Sequence, residues 1–192
     1  MEQGIKIAID LMGGENSPDK NLEGANLFAK RNNKIKDYFF YFFGDEAKIK
    51  NKIINYKYLN NNYKIFHTDI VVSDEASALS KIKKGKNSSM WNAIQSQIDH
   101  NADVTLSAGN TGVLLVMSKM ILKTLEDVDK PALAGLWPNK KNMNVVLDLG
   151  ANIECSEKNL IDFSEMGSAL YKSLYQKDIP KVGLLNIGSE EI

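Results

Sequence analysis

Apolar positions along this chain fall into short dense runs separated by longer stretches in which they recur every three or four residues. The runs are Ile5-Lys6-Ile7-Ala8-Ile9-Asp10, the aromatic block Tyr38-Phe39-Phe40-Tyr41-Phe42-Phe43, Lys64 to Asp69, Ala102 to Leu106, Ala132 to Trp137, Asn144 to Leu149 and Lys181 to Ile187. Each has the length and composition of a strand. Helical spacing fills the gaps. Ser17-Pro18 reads as a cap and first helical residue of a helix running to about Asn32. Asp45 reads as the cap of a lysine-rich helix to about Tyr56, and Met90, Ile94 and Ile98 give one apolar face to the next. Val113 through Ile121 and Leu125 reads as a well-buried helix, and Glu157 to about Gln176 as another, with Leu160, Phe163, Ser164, Gly167 and Leu170 inward. Strand and helix alternate throughout, which predicts an α/β fold with a mainly parallel sheet, forming one domain over residues 1–192.

Four of the predicted strands end in the same kind of turn: Asp10 to Gly14, Ser107 to Gly112, Asp148 to Asn152, and Asn186 to Gly188. In a parallel sheet such ends share one edge, where open α/β sheets place their ligands. Ser107-Ala108-Gly109-Asn110-Thr111-Gly112 carries the most chemistry, because it joins a strand to a helix start. Glycine lets backbone approach a ligand closely, and the first helical N–H groups lack intrahelical partners and favour an anion. Asn110 or Thr111 either caps that helix or turns its side chain to a ligand. A capped turn with no ligand explains the same residues, and a tight βα turn explains Gly13-Gly14 equally well.

The remaining candidates are weaker. Asn87-Ser88-Ser89 is a second hydroxyl-rich helix start, preceded by the basic run Lys81 to Lys86, which reads as a solvated face or as a landing patch for an acidic partner. It is no phosphate-binding Walker loop, lacking the upstream glycine and the Lys-Ser/Thr pair. No GxGxxG fingerprint and no His/Cys cluster with metal-ligand spacing occurs, so neither a cofactor nor a metal is expected. Asp10 and Asp148 read as turn-orienting residues rather than single metal ligands. His67 reads as structural. Cys155, the single cysteine, has no histidine at partner spacing and fits poorly as an acyl-carrying nucleophile.

Composition narrows the field. Lys plus Arg and Asp plus Glu both number 24 among 192 residues, so the formal charge is zero, which argues against a general nucleic-acid binder. A chain of this length buries about 70% of its unfolded surface and needs no disulfide or metal to hold a core. One cysteine and no signal-like N-terminus fit a cytoplasmic setting, and no apolar stretch approaches a membrane span. The sequence stops at Ile192, just after a predicted strand and glycine turn where a crossover helix would normally follow, and this predicts a truncated protein.

Six segments in order carry a family resemblance: Asp10-Leu11-Met12-Gly13-Gly14, Asn87-Ser88-Ser89-Met90, Ser107 to Gly112, Pro131-Ala132-Leu133-Ala134, Leu147 to Asn152, and Gly183-Leu184-Leu185-Asn186-Ile187-Gly188. Together they resemble the bacterial phosphate acyltransferases, the acyl-ACP:phosphate transacylases of phospholipid synthesis. The resemblance spans Ile5 to Glu191. It implies a Rossmann-like three-layer sandwich, akin to phosphotransacetylases, that moves a fatty-acyl group from acyl carrier protein to inorganic phosphate. It also implies a cytoplasmic homodimer, peripheral to the inner face of the membrane, whose acyl phosphate feeds a membrane glycerol-3-phosphate acyltransferase. Asn110 and Thr111 are the expected catalytic donors. Asp10, Gly13, Gly14, Ser88, Ser89, Ser107, Gly109, Gly112, Asp148, Gly150, Asn152, Asn186 and Gly188 are the expected phosphate and substrate contacts. The family pattern has Asp-His after the Gly-Gly pair, where this chain has Glu15-Asn16, so no acid–base role is carried over there. Family members also continue into a Lys-Gly-Asn element and a second half, which leaves the activity of this chain alone open. An acyl-CoA-dependent phosphotransacetylase and a non-catalytic scaffold for acyl carrier protein are the competing readings.

Overall fold

The computed structural model describes residues 4–32, 37–59, 62–72, 85–100, 102–140, 142–152, 154–176 and 179–185. They fall into two compact units, Met1–Lys123 and Thr124–Ile192. The first contains strands β1 (Ile5–Asp10), β2 (Tyr38–Gly44), β3 (Tyr63–His67) and β4 (Val104–Ser107). Its helices are α1 (Asp19–Arg31), α2 (Glu46–Ile53), α3 (Ser89–Asp99) and α4 (Thr111–Leu122).

The four strands form one sheet in the order β3-β2-β1-β4, every neighbouring pair parallel. The chain therefore steps outward from β1 to β3, then crosses to the other side of β1 for β4. Both faces are covered, which is why β2 is apolar at every position rather than alternating. Phe40 and Phe42 face one side with Ile7, Ile9, the α1 residues Leu22, Ala25 and Ala29, and the α2 residues Ile49 and Ile53. Phe43 faces the other side with Ala8 and with Ala93 of α3. Helices on both faces of a parallel sheet make the three-layer, Rossmann-like arrangement expected from the alternation of elements.

Three local expectations need correcting. Ser17 does not cap α1; its Oγ donates to the Met12 carbonyl at 2.9 Å, closing the preceding turn, and Pro18 occupies the cap position without a side-chain bond. Helix α4 is not buried all round. Val113, Met117 and Ile121 form one buried stripe against Met90 and Ile94 of α3, while Val116, Met120 and Leu122 are exposed and Leu125 lies beyond the helix. Strand β4 is likewise the outer strand of its sheet, with Val104 and Leu106 exposed, because an apolar run does not itself reveal how many faces are covered.

The second unit contains β5 (Ala134–Pro138), β6 (Met143–Leu147) and α5 (Glu157–Leu174). The two strands pair antiparallel, closed by Asn139 and Asn142, whose backbone groups bond at 2.7 Å. Ser156 caps α5 through a reciprocal capping box with Asn159. Phe163 is buried as expected, whereas Leu160 and Leu170 are exposed. Residues 181–185, expected as a strand, lie in neither helix nor strand. Asn186 and Gly188 lie outside the described residues, as do Lys81 to Lys84 of the basic run.

Candidate functional site

Register builds the centre of the site. In the parallel β1–β4 pair, Asp10 stands beside Ser107 although 97 residues separate them. Both are last residues of their strands, so the turns that follow leave the sheet side by side. Ser107 Oγ donates to Asp10 Oδ2 at 2.7 Å, Met12 N–H donates to Asp10 Oδ1 at 3.1 Å, and Gly109 N–H donates to Ser107 Oγ at 3.1 Å. Asp10 is almost fully buried, and this short chain of bonds supplies the partners that a buried carboxylate needs.

Gly13 closes the same cluster. A Cβ at this position would fall 2.5 Å from Asp10 Oδ2 and 2.9 Å from both Gly109 N and Ser107 Oγ, so no larger residue fits unless the turns separate. Gly14 has φ +84°, and a Cβ there would meet the Ala108 carbonyl at 2.7 Å. The two glycines thus let the β1 turn lie directly against the β4 turn.

Helix starts surround this contact. Asn110 caps α4, its Oδ1 accepting from Val113 N–H at 3.1 Å, which leaves the exposed amide Nδ2 as its donor group. Thr111 and Gly112, the first residues of α4, are also exposed. The backbone N–H groups of Gly14, Thr111 and Gly112 donate to no acceptor among the described residues. At α3, Ser88 Oγ accepts from Trp91 N–H at 3.2 Å, and Ser89 N–H donates to the Ile70 carbonyl at 3.0 Å. Both serines are buried, so they hold the helix start in place rather than line an open surface. The next residue, Met90, brings its Cε to within 2.6 Å of where a Gly109 Cβ would stand. Three segments that the sequence singled out, around Gly13, Ser88 and Gly109, therefore meet in the first unit.

Asp148, Gly150 and Asn152 form a turn in the second unit. Asp148 Oδ2 accepts from Asn152 N–H at 3.1 Å and its Oδ1 from Asn152 Nδ2 at 3.2 Å. Asn152 Nδ2 also donates to the Pro131 carbonyl at 3.0 Å. Cys155 is exposed, with Sγ 3.9 Å from Asp148 Oδ2. His67 Nδ1 accepts from Glu46 N–H at 3.2 Å, a structural bond at the start of α2.

The site also includes a residue that the pattern did not reveal. Asn21, on the first turns of α1, donates from Nδ2 to the carbonyls of Gly13 (2.9 Å), Leu11 (3.1 Å) and Asp10 (3.4 Å). It ties down the carbonyl side of the β1 turn. A polar residue beside Leu22 on an otherwise amphipathic helix reads as solvent-facing, and only the return of α1 over the end of β1 turns it inward. Among the described residues no group of three His, Cys, Asp or Glu side chains could hold a metal ion.

A parallel sheet ordered β3-β2-β1-β4, with glycine turns after the two strands that flank the reversal of direction, defines a doubly wound α/β protein. In such sheets the crevice beyond the carboxyl ends of those two strands is the ligand-binding position. Residues 5–192 match the family described as "Fatty acid synthesis protein", and the chain belongs to that family. Among curated relatives, a protein of Pelagibacter ubique named "Phosphate acyltransferase" is 57% identical over 192 residues, covering 100% of this chain and 56% of the relative. Proteins of the same name from a Bradyrhizobium species and from Rhodospirillum rubrum are 42% and 40% identical, covering 100% and 99% of this chain and 54% of each relative. The chain spans about half the length of the curated relatives it matches. No described helix is long and apolar enough to cross a membrane.

Proposed function

We propose that this protein transfers a fatty-acyl group from the thioester of acyl carrier protein to inorganic phosphate, releasing acyl phosphate for phospholipid synthesis. The observation that carries this reading is the contact between the β1 and β4 turns at the reversal point of the sheet. There the amides of Gly14, Thr111 and Gly112 and the Nδ2 of Asn110 offer hydrogen-bond donors. The names of the relatives supply the reaction class.

The chemistry suits such a site. A phosphate oxygen is already anionic and attacks the thioester carbonyl carbon without a deprotonating base. The new C–O bond gives a tetrahedral oxyanion, the C–S bond then breaks, and the carrier leaves as its thiolate, which water protonates. The protein's tasks are to hold phosphate in line and to stabilise the oxyanion, and both are met by oriented N–H donors. Removing one well-aimed donor of this kind typically slows turnover about 100- to 1,000-fold. Asn110 and Thr111 act as donors to the reacting atoms, with Gly14 and Gly112 contributing amides. Asp10, Ser107 and Asn21 keep the turns together. The reading extends to a cytoplasmic homodimer at the inner membrane surface, passing acyl phosphate to a membrane glycerol-3-phosphate acyltransferase.

The test is thiol release from acyl thioesters with and without phosphate, using acyl carrier protein and coenzyme A as alternative carriers. It is run on the chain alone and on the chain completed with the remaining residues of the Pelagibacter ubique relative. Phosphate-dependent release from acyl carrier protein is the expected result. Preference for acyl-CoA would reassign the carrier. Carrier binding without turnover in either form would replace the enzyme with a scaffold.

A further inference from the structure

A cavity of about 230 Å³ lies between the ends of β2 and β3 and one side of α3. None of the residues lining it belongs to the β1 or β4 turn. Part of its lining is aromatic. Phe43 is buried and Phe66 half-buried, their rings stack at 4.8 Å, and the imidazole of His100 stacks on Phe66 at 4.7 Å. The polar lining comes mainly from Asn92, Gln95 and Asp99, which the i, i+3, i+7 spacing places on one face of α3. His67, the last residue of β3, completes it, so both histidines of the chain reach this one cavity.

The hydrogen bonds already made decide what the lining still offers. Asn92 Nδ2 donates to the Asn87 carbonyl at 3.1 Å, and Gln95 Nε2 donates to Asp99 Oδ1 at 3.2 Å. The oxygens of both amides therefore receive no hydrogen among the described residues. Ser96 Oγ commits its proton to the Ala93 carbonyl at 2.7 Å, and the Asp99 carboxylate only accepts. The unused capacity of α3 is thus weighted towards acceptors. From β3 comes a donor. His67 Nδ1 accepts from the Glu46 amide at 3.2 Å, so the neutral ring keeps its proton on Nε2.

We propose that this cavity binds an aminopurine base, its ring against the Phe66 and His100 rings, its amino group donating to the oxygens of Asn92 and Gln95, and one ring nitrogen accepting from His67 Nε2–H. Each part of the lining then has a counterpart. An aliphatic ammonium would serve the acceptors but leave the aromatic rings and the His67 donor without use. A plain aromatic ring would serve the rings and leave the amide oxygens desolvated without hydrogens. At about 230 Å³ the space falls short of the roughly 300 Å³ at which sites for drug-sized ligands begin, and it suits one fused ring system. His67, Asp99 and His100 are exposed, so the rest of a nucleoside remains in solvent.

The experiment titrates the 192-residue chain separately with adenosine, guanosine, purine riboside and butane-1,4-diamine, following backbone and side-chain amide resonances in its nitrogen–proton correlation spectrum. Purine riboside keeps the fused ring and lacks the amino group. The side-chain amides of Asn92 and Gln95 and the backbone amide of His100 are expected to shift with adenosine or guanosine at concentrations about tenfold lower than with purine riboside. Gln95→Met and Asn92→Leu are each expected to bring the aminopurine down to the affinity of purine riboside, with peak dispersion reporting that the fold is kept. Equal affinity for purine riboside and the aminopurines overturns the assignment, and so do folded variants that keep the parent's preference. A tighter response to the diamine than to any nucleoside replaces the base with an ammonium. Resonances unmoved by all four compounds overturn the site itself.

Discussion

Asn110→Asp would separate capping the helix from the anion binding proposed for this residue. Asn110 Oδ1 caps α4 by accepting from Val113 N–H at 3.1 Å, and a carboxylate oxygen performs that task equally well. Stability should therefore change by no more than about 0.5 kcal/mol, with the helix dipole favouring the aspartate. The outward Nδ2 donor, however, becomes a negative oxygen. Two unit charges about 4 Å apart repel by about 1 kcal/mol in bulk water and about 4 kcal/mol near a protein surface. Because Asn110 is exposed, the lower part of that range applies, about 1 to 2 kcal/mol, or roughly a 5- to 30-fold loss of phosphate affinity. Asn110→Ala should behave oppositely. It loses the cap, which costs about 1 kcal/mol of stability, but adds no charge and binds phosphate better than the aspartate variant. Thermal melts and calorimetric phosphate titrations on the three proteins read both quantities, and added salt should narrow the affinity gap. An aspartate variant that binds phosphate like the parent would refute the placement of Asn110 in the anion site.

Gly13→Ala should drive the two turns apart, because the added methyl meets Asp10 Oδ2 at 2.5 Å and the Gly109 amide nitrogen at 2.9 Å; a melt within about 0.5 kcal/mol of the parent would show that the contact is loose. The Asp45 carboxyl is held below its usual range, first by the backbone hydrogen bond from Lys48, so its contribution to stability is complete above the ordinary aspartate value and is lost as pH falls through the lower folded value. Asp45→Asn, which still caps α2, should flatten that part of the acid-unfolding curve, and an unchanged curve would rule out this contribution. Cys155→Ala should retain the proposed phosphate-dependent activity, since the exposed thiol lies 3.9 Å from the acceptor Asp148 Oδ2 and no base to activate it is among its partners in the described residues; loss of activity with retained folding would point to a covalent acyl-enzyme.

Much of the first unit is legible in the sequence because its signals are local. The aromatic block from Tyr38 to Phe43, the cap at Asp45 and the cap at Ser88 each declare their element without reference to the rest of the chain. The turns at Gly13 and Gly109 are legible for the same reason. Their mutual contact is not, since it depends on β4 crossing to the far side of β1, a decision made by packing and not by any residue in either strand. That crossing also leaves β4 and α4 less buried than their composition predicts. Val104, Leu106, Val116 and Met120 have the composition of buried residues, and periodicity does not show whether a second neighbour exists. Asn21 carries no signal in the sequence because its role comes from three backbone carbonyls of a turn eight to eleven residues away. The hairpin of β5 and β6 was visible as two strands but not as an antiparallel pair, because the alternating βα pattern elsewhere favours parallel neighbours.

The proposed transfer to phosphate requires an oxyanion to rest between the ends of β1 and β4. Diffraction from crystals grown with arsenate, a protonated phosphate analogue with strong anomalous scattering, locates such an ion directly. The expected result is a single strong anomalous peak within hydrogen-bond distance of the Thr111 and Gly112 amides and the Asn110 Nδ2. An arsenate bound elsewhere, with those donors left facing solvent, would contradict it.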